Sequence, residues 1–319
     1  MIKLVSELLK ETYNICKTLF RIMIPVIIAV KVLSELGIIK ILSAVLNPFM
    51  KFIGLPGELG LAWATALFTN IYGGIIVFVS LSDGLNLTVA QATIFASIVL
   101  IAHSMPVELQ IMRKSGPRLR AMLVLRMGGA VVYGWLLNVI YSATDTLQEP
   151  LKILWAPPVR DNTLGAWAMG EVKNLFWITC IIFTLVVVMR ILHALGLMKL
   201  MEKLLGPVLR FLGVSARAST LTIFGLTIGL SYAGGMIINE AKSGKLSEED
   251  IFFSISLLGL CHSLIEDTLL LMVVGGHLSG IFWGRIIFSL IVVILIQRII
   301  RVMKPEFFHK MLFLPSKNS

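Results

Sequence analysis

Charge is scarce in this chain. Asp, Glu, Lys and Arg make up 14% of its 319 residues, against 57% hydrophobic residues and a mean hydropathy of +0.91. A soluble domain carries about 25% charged residues, so the composition excludes a chain built mainly of soluble modules. Long polar connections are missing as well. The longest, Ser142 to Gly170, still holds Leu147, Leu151, Ile153, Leu154, Trp155, Leu164 and Trp167, which suits a surface-lying segment better than a folded module. Cysteine is rare: Cys16, Cys180 and Cys261 lie in or beside apolar stretches. Their odd number and spacing exclude a disulfide framework or a cysteine zinc site. There is no phosphate-binding GxxxxGK[ST], no cofactor loop and no nucleophile–base set, so neither an enzyme nor a cofactor is expected. The net charge of +10 sits at the ends of apolar runs, as positive-inside topology requires. No basic motif with interleaved aromatics points to nucleic acid. The first apolar run lacks a small-residue cleavage site and reads as an uncleaved helix.

What is present is a series of apolar runs, most of them long enough for a bilayer core of roughly 30 Å. They fall near Leu19–Leu36, Leu59–Leu81, Val89–Met112, Leu119–Tyr141, Leu175–Leu195, Ser219–Ile238, Ile251–Val274 and Ile281–Val302. Two shorter pieces, 38–53 and 197–213, carry charges and proline. The sequence leaves open whether they cross, re-enter or lie on the membrane. The fold class is an all-α, multi-pass membrane protein.

The pattern repeats. "VLSELGIIK" at Val32 matches "ILHALGLMK" at Ile191, an offset of 159 residues. The same offset pairs Gly37 with Gly196, Lys40 with Lys199, Pro48 with Pro207 and Gly54 with Gly213. It returns at His103-Ser104 and His262-Ser263, and carries Glu108 onto Asp267. The chain divides into an N-terminal amphipathic helix (1–18), a first repeat (19–142), a connection (143–171), a second repeat (172–303) and a tail (304–319). Arg113, Lys114, Arg118, Arg120 and Arg126 mark a cytoplasmic connection, and the more acidic 142–171 stretch an external one. Both Lys/Arg-rich termini are placed inside a cell inner membrane. Five crossings per half, with the short pieces crossing, satisfy these charges and make the repeats inverted.

Two places in each half interrupt the helices. Asn70, Tyr72, Gly73 and Gly74 in "FTNIYGGI" correspond, after a two-residue slip, to Ser231, Tyr232, Gly234 and Gly235 in "LSYAGGMI". Paired glycines weaken a helix by about 1 kcal/mol each, and backbone freed in a bilayer must face protein or a polar cavity. These pairs therefore predict helix breaks at Asn70–Gly74 and Ser231–Gly235. The second place is polar. His103, Ser104 and Glu108 in "AHSMPVE" match His262, Ser263, Glu266 and Asp267 in "CHSLIED". A carboxylate at a bilayer centre costs about 2.5–3.5 kcal/mol on insertion scales, so two such clusters argue for a shared substrate or ion site. Helical spacing sets Glu266 on the His262 face, which favours it over Asp267.

The stretch "KVLSELGIIKILSAVLNPFMKFIGLPGE…FTNIYGGI…IAHSMPVEL" resembles the Gate domain, also called the nucleoside recognition domain. Its relatives include the membrane part of bacterial ferrous-iron transporters, spore-maturation membrane proteins and concentrative nucleoside transporters. The resemblance implies broken helices at the repeat interface and solute transport. The chain departs from the iron transporters in having no cysteine at 70–74 or 103–104 and no GTPase motif, which argues against GTP-driven soft-metal transport.

These readings converge on a secondary transporter of a small polar or charged solute, coupled to an ion or proton; the resemblance implies a nucleoside-like solute. Two alternatives remain. One is a divalent-metal permease using His103, His262, Glu266 and Asp267. The other is a non-transporting assembly or signalling component. The partners expected are a small-molecule or ion substrate and the lipid bilayer, with a homo-oligomer left open.

Overall fold

The computed structural model describes residues 2–82, 84–153, 163–211 and 214–314. The described elements are helical apart from two isolated bridges, Thr88–Pro150 and Pro117–Phe313. The first half comprises α1 (Ile2–Glu35), α2 (Ile38–Phe52), α3 (Leu59–Phe68), α4 (Ile71–Ser82), α5 (Val89–Ile101), α6 (Met105–Lys114) and α7 (Leu119–Ala143). The second comprises α8 (Leu164–Ala194), α9 (Leu197–Phe211), α10 (Ala216–Ile228), α11 (Leu230–Lys242), α12 (Glu248–Cys261), α13 (Glu266–Met272) and α14 (Arg285–Val302), the last entered through a π-helical turn at Ser279–Gly284. A short α15 (Pro305–Met311) follows. The start of α9 follows that of α2 by the sequence offset of 159, and so does α12 after α5. Gly37 and Gly196, both in the left-handed region, turn the corners before α2 and α9.

The hydrogen bonds fix direction. On one face, Arg118 N donates to Leu312 O, Leu314 N donates to Gly116 O, and His309 Nε2 lies 2.6 Å from Glu248 Oε2. That face holds the Arg-rich α6–α7 turn, the start of α12 and α15. On the other, Val89 N donates to Glu149 O, His277 N donates to Thr93 Oγ1, and the Tyr141 and Ser279 hydroxyls share a hydrogen bond. So α5 begins on one face and α12 on the other. The α5–α6 and α12–α13 segments, which occupy matching places in the repeat, run in opposite directions.

The crossing count departs from the expected five per half. The α3–α4 pair is a hairpin, not a broken span: a Cβ on Gly74 of α4 would lie 2.6 Å from the Ala66 Cβ of α3. An ion pair between Arg217 and Glu240 closes α10 and α11 in the same way. Each hairpin enters and leaves on one face. Helices α2 and α9, 15 residues each, are only about 22 Å long and too short to cross. Ser43 and Asn47 of α2 both border Gly57, and Leu46 and Met50 border Gly60, so α2 stays on the face where α3 begins. Among the described residues, five segments are long and apolar enough to cross, α5–α6, α7, α8, α12–α13 and α14; counting α1, which lies antiparallel to α8, gives three end-to-end segments per half. Three is odd, as five was, which still lets matching segments run oppositely. It also moves Arg210 and Arg217 to the Arg-rich face.

Other boundaries shift. The amphipathic stretch 1–18 and the following span form one helix, α1, which runs antiparallel to α8: Arg190 pairs with Glu7 at 3.1 Å and Glu11 at 3.5 Å, while Lys31 sits over the Trp167 ring. Residues 305–311 of the expected tail are helical and docked. Of the 143–171 connection, residues 154–162 lie outside the described residues, and its last part, from Leu164, belongs to α8.

The glycine pairs do not form the breaks. Gly73 and Gly74 lie inside α4, and Gly234 and Gly235 inside α11. The turns come earlier, at Thr69–Asn70 and at Gly229. Gly74 lets α4 close on α3, and Gly234 lets α11 approach Ile111 of α6, where a Cβ would come within 2.7 Å. Gly235 has no described atom near such a Cβ. Gly74→Ala is therefore expected to destabilise the protein by about 1–3 kcal/mol through overpacking, and Gly235→Ala to be tolerated. Thermal melts in detergent check the pair.

Candidate functional site at the two helix breaks

Both hairpin tips meet both polar breaks inside the bundle. Asn70 caps α4, its Oδ1 accepting from Gly73 N at 2.9 Å. In the second hairpin the turn residue is Gly229, with φ 89° and ψ 160°, a conformation open almost only to glycine. The α5–α6 break is made by Ala102, His103 and Ser104; the α12–α13 break spans His262 to Ile265. Ser104 (φ 47°) and Ser263 (φ 48°) both adopt left-handed backbone. Such strain costs about 1–3 kcal/mol per residue and persists only where surroundings impose it. Here hairpin carbonyls impose it: Ser104 N donates to Ala66 O at 2.9 Å and Leu264 N to Leu226 O at 2.7 Å. Trp63 Nε1 donates to Ala102 O.

The freed carbonyls before each break go to an arginine. Arg126 donates from Nε to Ile101 O at 2.9 Å and from Nη2 to His103 O at 3.1 Å. Arg285 donates from Nη2 to His262 O at 2.8 Å. Both guanidinium groups are fully buried, and they too are separated by 159 positions. Arg126 is thus no part of the cytoplasmic connection, where the charge pattern placed it. The signal that could have found the pair was an arginine inside an apolar run at the repeat offset.

The two imidazoles face each other with Nε2 atoms 3.4 Å apart. Each Nδ1 lies 2.8 Å from a carbonyl one turn back, Val99 O for His103 and Leu258 O for His262. A carbonyl can only accept, so each Nδ1 carries a proton and the neutral ring turns an Nε2 lone pair inward. Glu108 Oε1 lies 3.4 Å from His103 Nε2 and 3.2 Å from His262 Nε2, while its Oε2 pairs with Arg126 Nη1 at 2.6 Å. Asp267 Oδ2 is 4.0 Å from His103 Nε2.

A cavity of about 400 Å³ opens onto this cluster. Asn70, Tyr72, His103, Ser104, Glu108, His262, Ser263, Glu266 and Asp267 line it, with Gly229 and Asn14. A second cavity, about 380 Å³, shares Ile15, Ile228 and Glu266 and reaches Glu11, Arg190 and His193. Gly73, Gly74, Gly234 and Gly235 are not among the residues lining that cavity; Gly74 and Gly234 sit at close helix contacts instead. The side chains of Ser231 and Tyr232 lie outside the described residues. Glu266 lines the cavity wall, whereas Asp267 is the carboxylate of its helix beside the imidazoles. The i,i+4 expectation for Glu266 assumed a helix continuous through 262–266, and the break removes that geometry.

Comparison with known proteins places these elements. Residues 175–277 match the Gate family model, described as nucleoside recognition; the match takes in the second hairpin and the second polar break. The chain is 26% identical over 261 residues to YvoD, an uncharacterized membrane protein of Bacillus subtilis (strain 168), covering 81% of this chain and 82% of that one. No solved structure matches. Within this all-α polytopic membrane protein, residues 175–277 are thus similar to the Gate, or nucleoside recognition, family.

Proposed function

We propose that the protein is a secondary transporter of a small polar or charged solute, coupled to a proton or other cation, with the solute held where the hairpin tips meet the two breaks. One observation carries this reading. Two Nε2 lone pairs and a carboxylate oxygen converge within 3.2–3.4 Å. Three acceptors so close repel one another unless a positive charge lies among them. A site that must take up a cation, opening onto a cavity, has the equipment for coupled transport. Half-helix N-termini aimed at a midplane site are a recurring transporter design, and α6 and α13 both start here.

Oppositely directed halves supply the movement. If they exchange conformations, the cavity opens to the other face. In the present state the cavity path leads through Glu266 towards Glu11 and Arg190, near the Arg-rich face, which positive-inside topology assigns to the cytoplasm. Both termini then lie inside a cell inner membrane. The match to the Gate family model supports transport only in general terms, and a nucleoside-like solute rests on that family's description alone.

The test is uptake by the reconstituted full chain under imposed proton or sodium gradients, with nucleosides and small charged metabolites as candidate solutes. Solute-dependent ion flux, lost in His103→Gln, is expected. A wild-type protein that shows no flux under any gradient yet co-purifies with a stoichiometric partner would make it an assembly component instead.

A further inference from the structure

We propose that His103, His262 and Asp267 form a binding site for a divalent transition-metal ion of the zinc, cobalt or ferrous type. Taken with the transport reading above, that ion is the positive charge the central site takes up. One ligand atom from each residue lies within 4.8 Å of the others. The spacing suits a metal better than a shared proton. Metal–ligand bonds of about 2.0–2.1 Å in a tetrahedron set ligand atoms roughly 3.4 Å apart. The two Nε2 atoms are 3.4 Å apart and Asp267 Oδ2 lies 4.0 Å from one of them. The same 3.4 Å lies at the long end of the range for a hydrogen bond between the rings.

The surroundings are those of metal-ligating histidines. Such a ring usually donates its other N–H to a carbonyl or carboxylate, which fixes its orientation and tautomer. Both rings here do so, to Val99 O and Leu258 O. The carbonyls of His103 and His262 are in turn held by Arg126 and Arg285, so the backbone bearing each ligand is anchored. The charge count also fits. The Glu108 carboxylate is already offset by Arg126, leaving the Asp267 carboxylate and two neutral imidazoles for the ion. Glu108 Oε1 stands beside both rings and closes one side.

Ligand type selects the ion. Two imidazoles and one carboxylate suit zinc, cobalt, nickel or ferrous iron, whereas calcium and magnesium want oxygen cages and cuprous ion wants sulfur. These three protein ligands leave the fourth position to Glu108 Oε1, 3.4 and 3.2 Å from the two Nε2 atoms, or to a solute entering from the cavity, so the enclosure is exchangeable. An ion that must leave again needs that exchangeable enclosure, where a structural zinc site is closed by four protein ligands.

Cobalt binding to the purified full chain in detergent tests this directly, because Co²⁺ bound by nitrogen and oxygen gives a visible d–d absorption band. One Co²⁺ per chain, displaced by Zn²⁺, is expected. His262→Gln and Asp267→Asn should each weaken binding by more than about 100-fold, beyond the 10–100-fold loss expected from a group that only supports a ligand; Glu306→Gln, on the exposed face of α15, should leave it unchanged. The chain has five histidines. A variant lacking His193, His277 and His309 keeps the central pair and must still bind. Absence of cobalt and zinc binding in wild type, or its loss in that triple variant, would overturn the metal site. Proton-driven uptake without metal binding would do the same and leave the transport proposal standing. Metal binding with no flux of any kind would sink the transport reading and uphold the site.

Discussion

Arg126→Met is expected to destabilise the protein by about 3–5 kcal/mol, the cost of leaving one partner of a buried ion pair alone. The substitution strands the Glu108 carboxylate, which is 2% exposed, and removes donors from the Ile101 and His103 carbonyls at the α5–α6 break. A chemical-denaturation series in detergent reads the loss. Glu108→Gln in the same background should recover part of it, since the two residues share one network and their effects do not add. Full additivity would show that Arg126 acts through the backbone carbonyls alone. Arg285→Met should cost less. Its Nε and Nη1 have no hydrogen-bond partner among the described residues, and no ion pair there links it to Asp267. In the exchanged state proposed above, Arg285 would pair with Asp267 as Arg126 now pairs with Glu108. Arg285→Met is therefore expected to impair uptake more than stability. Equal losses of stability for both arginine variants would argue against that asymmetry.

Asp267→Asn is expected to reduce uptake at least about 100-fold, because it removes a carboxylate of the proposed ion site, where losing even a group that only supports a ligand costs 10–100-fold. Glu266→Gln should reduce it only severalfold. Asp267 stands 4.0 Å from His103 Nε2, while Glu266 lines both the central cavity and the second one beside Glu11 and Arg190. The isosteric amides keep volume and hydrogen-bonding capacity, so comparable expression and elution profiles are expected. Rates should be compared at matched protein density in the same vesicles. A larger loss for Glu266→Gln would restore the assignment that helical spacing favoured and move the working carboxylate to the cavity wall.

Composition was enough to give the class of molecule, and the recurrence at 159 residues marked the side chains that meet at the two breaks. Too little charge and too many apolar runs leave burial in a bilayer as the only solution, whatever the tertiary details. A repeat offset of 159 survives folding because both halves obey the same local rules. The left-handed glycines at Gly37 and Gly196 and the polar breaks at His103-Ser104 and His262-Ser263 recur at that spacing. What tertiary structure alone decided is how the segments use their length. An apolar run such as Leu59–Leu81 is equally suited to a crossing or to a hairpin, because hydropathy records burial and not direction. Only the contact of Gly74 with Ala66 and the Arg217–Glu240 pair distinguish the two. The fate of Arg126 was hidden for a related reason. A buried guanidinium is tolerable only when carbonyls from a distant helix break and a carboxylate from the next helix converge on it, and no local pattern shows that convergence. The same holds for Glu266 and Asp267: periodicity assumes an unbroken helix, and here the break at His262 reset which of two adjacent carboxylates faces the imidazoles.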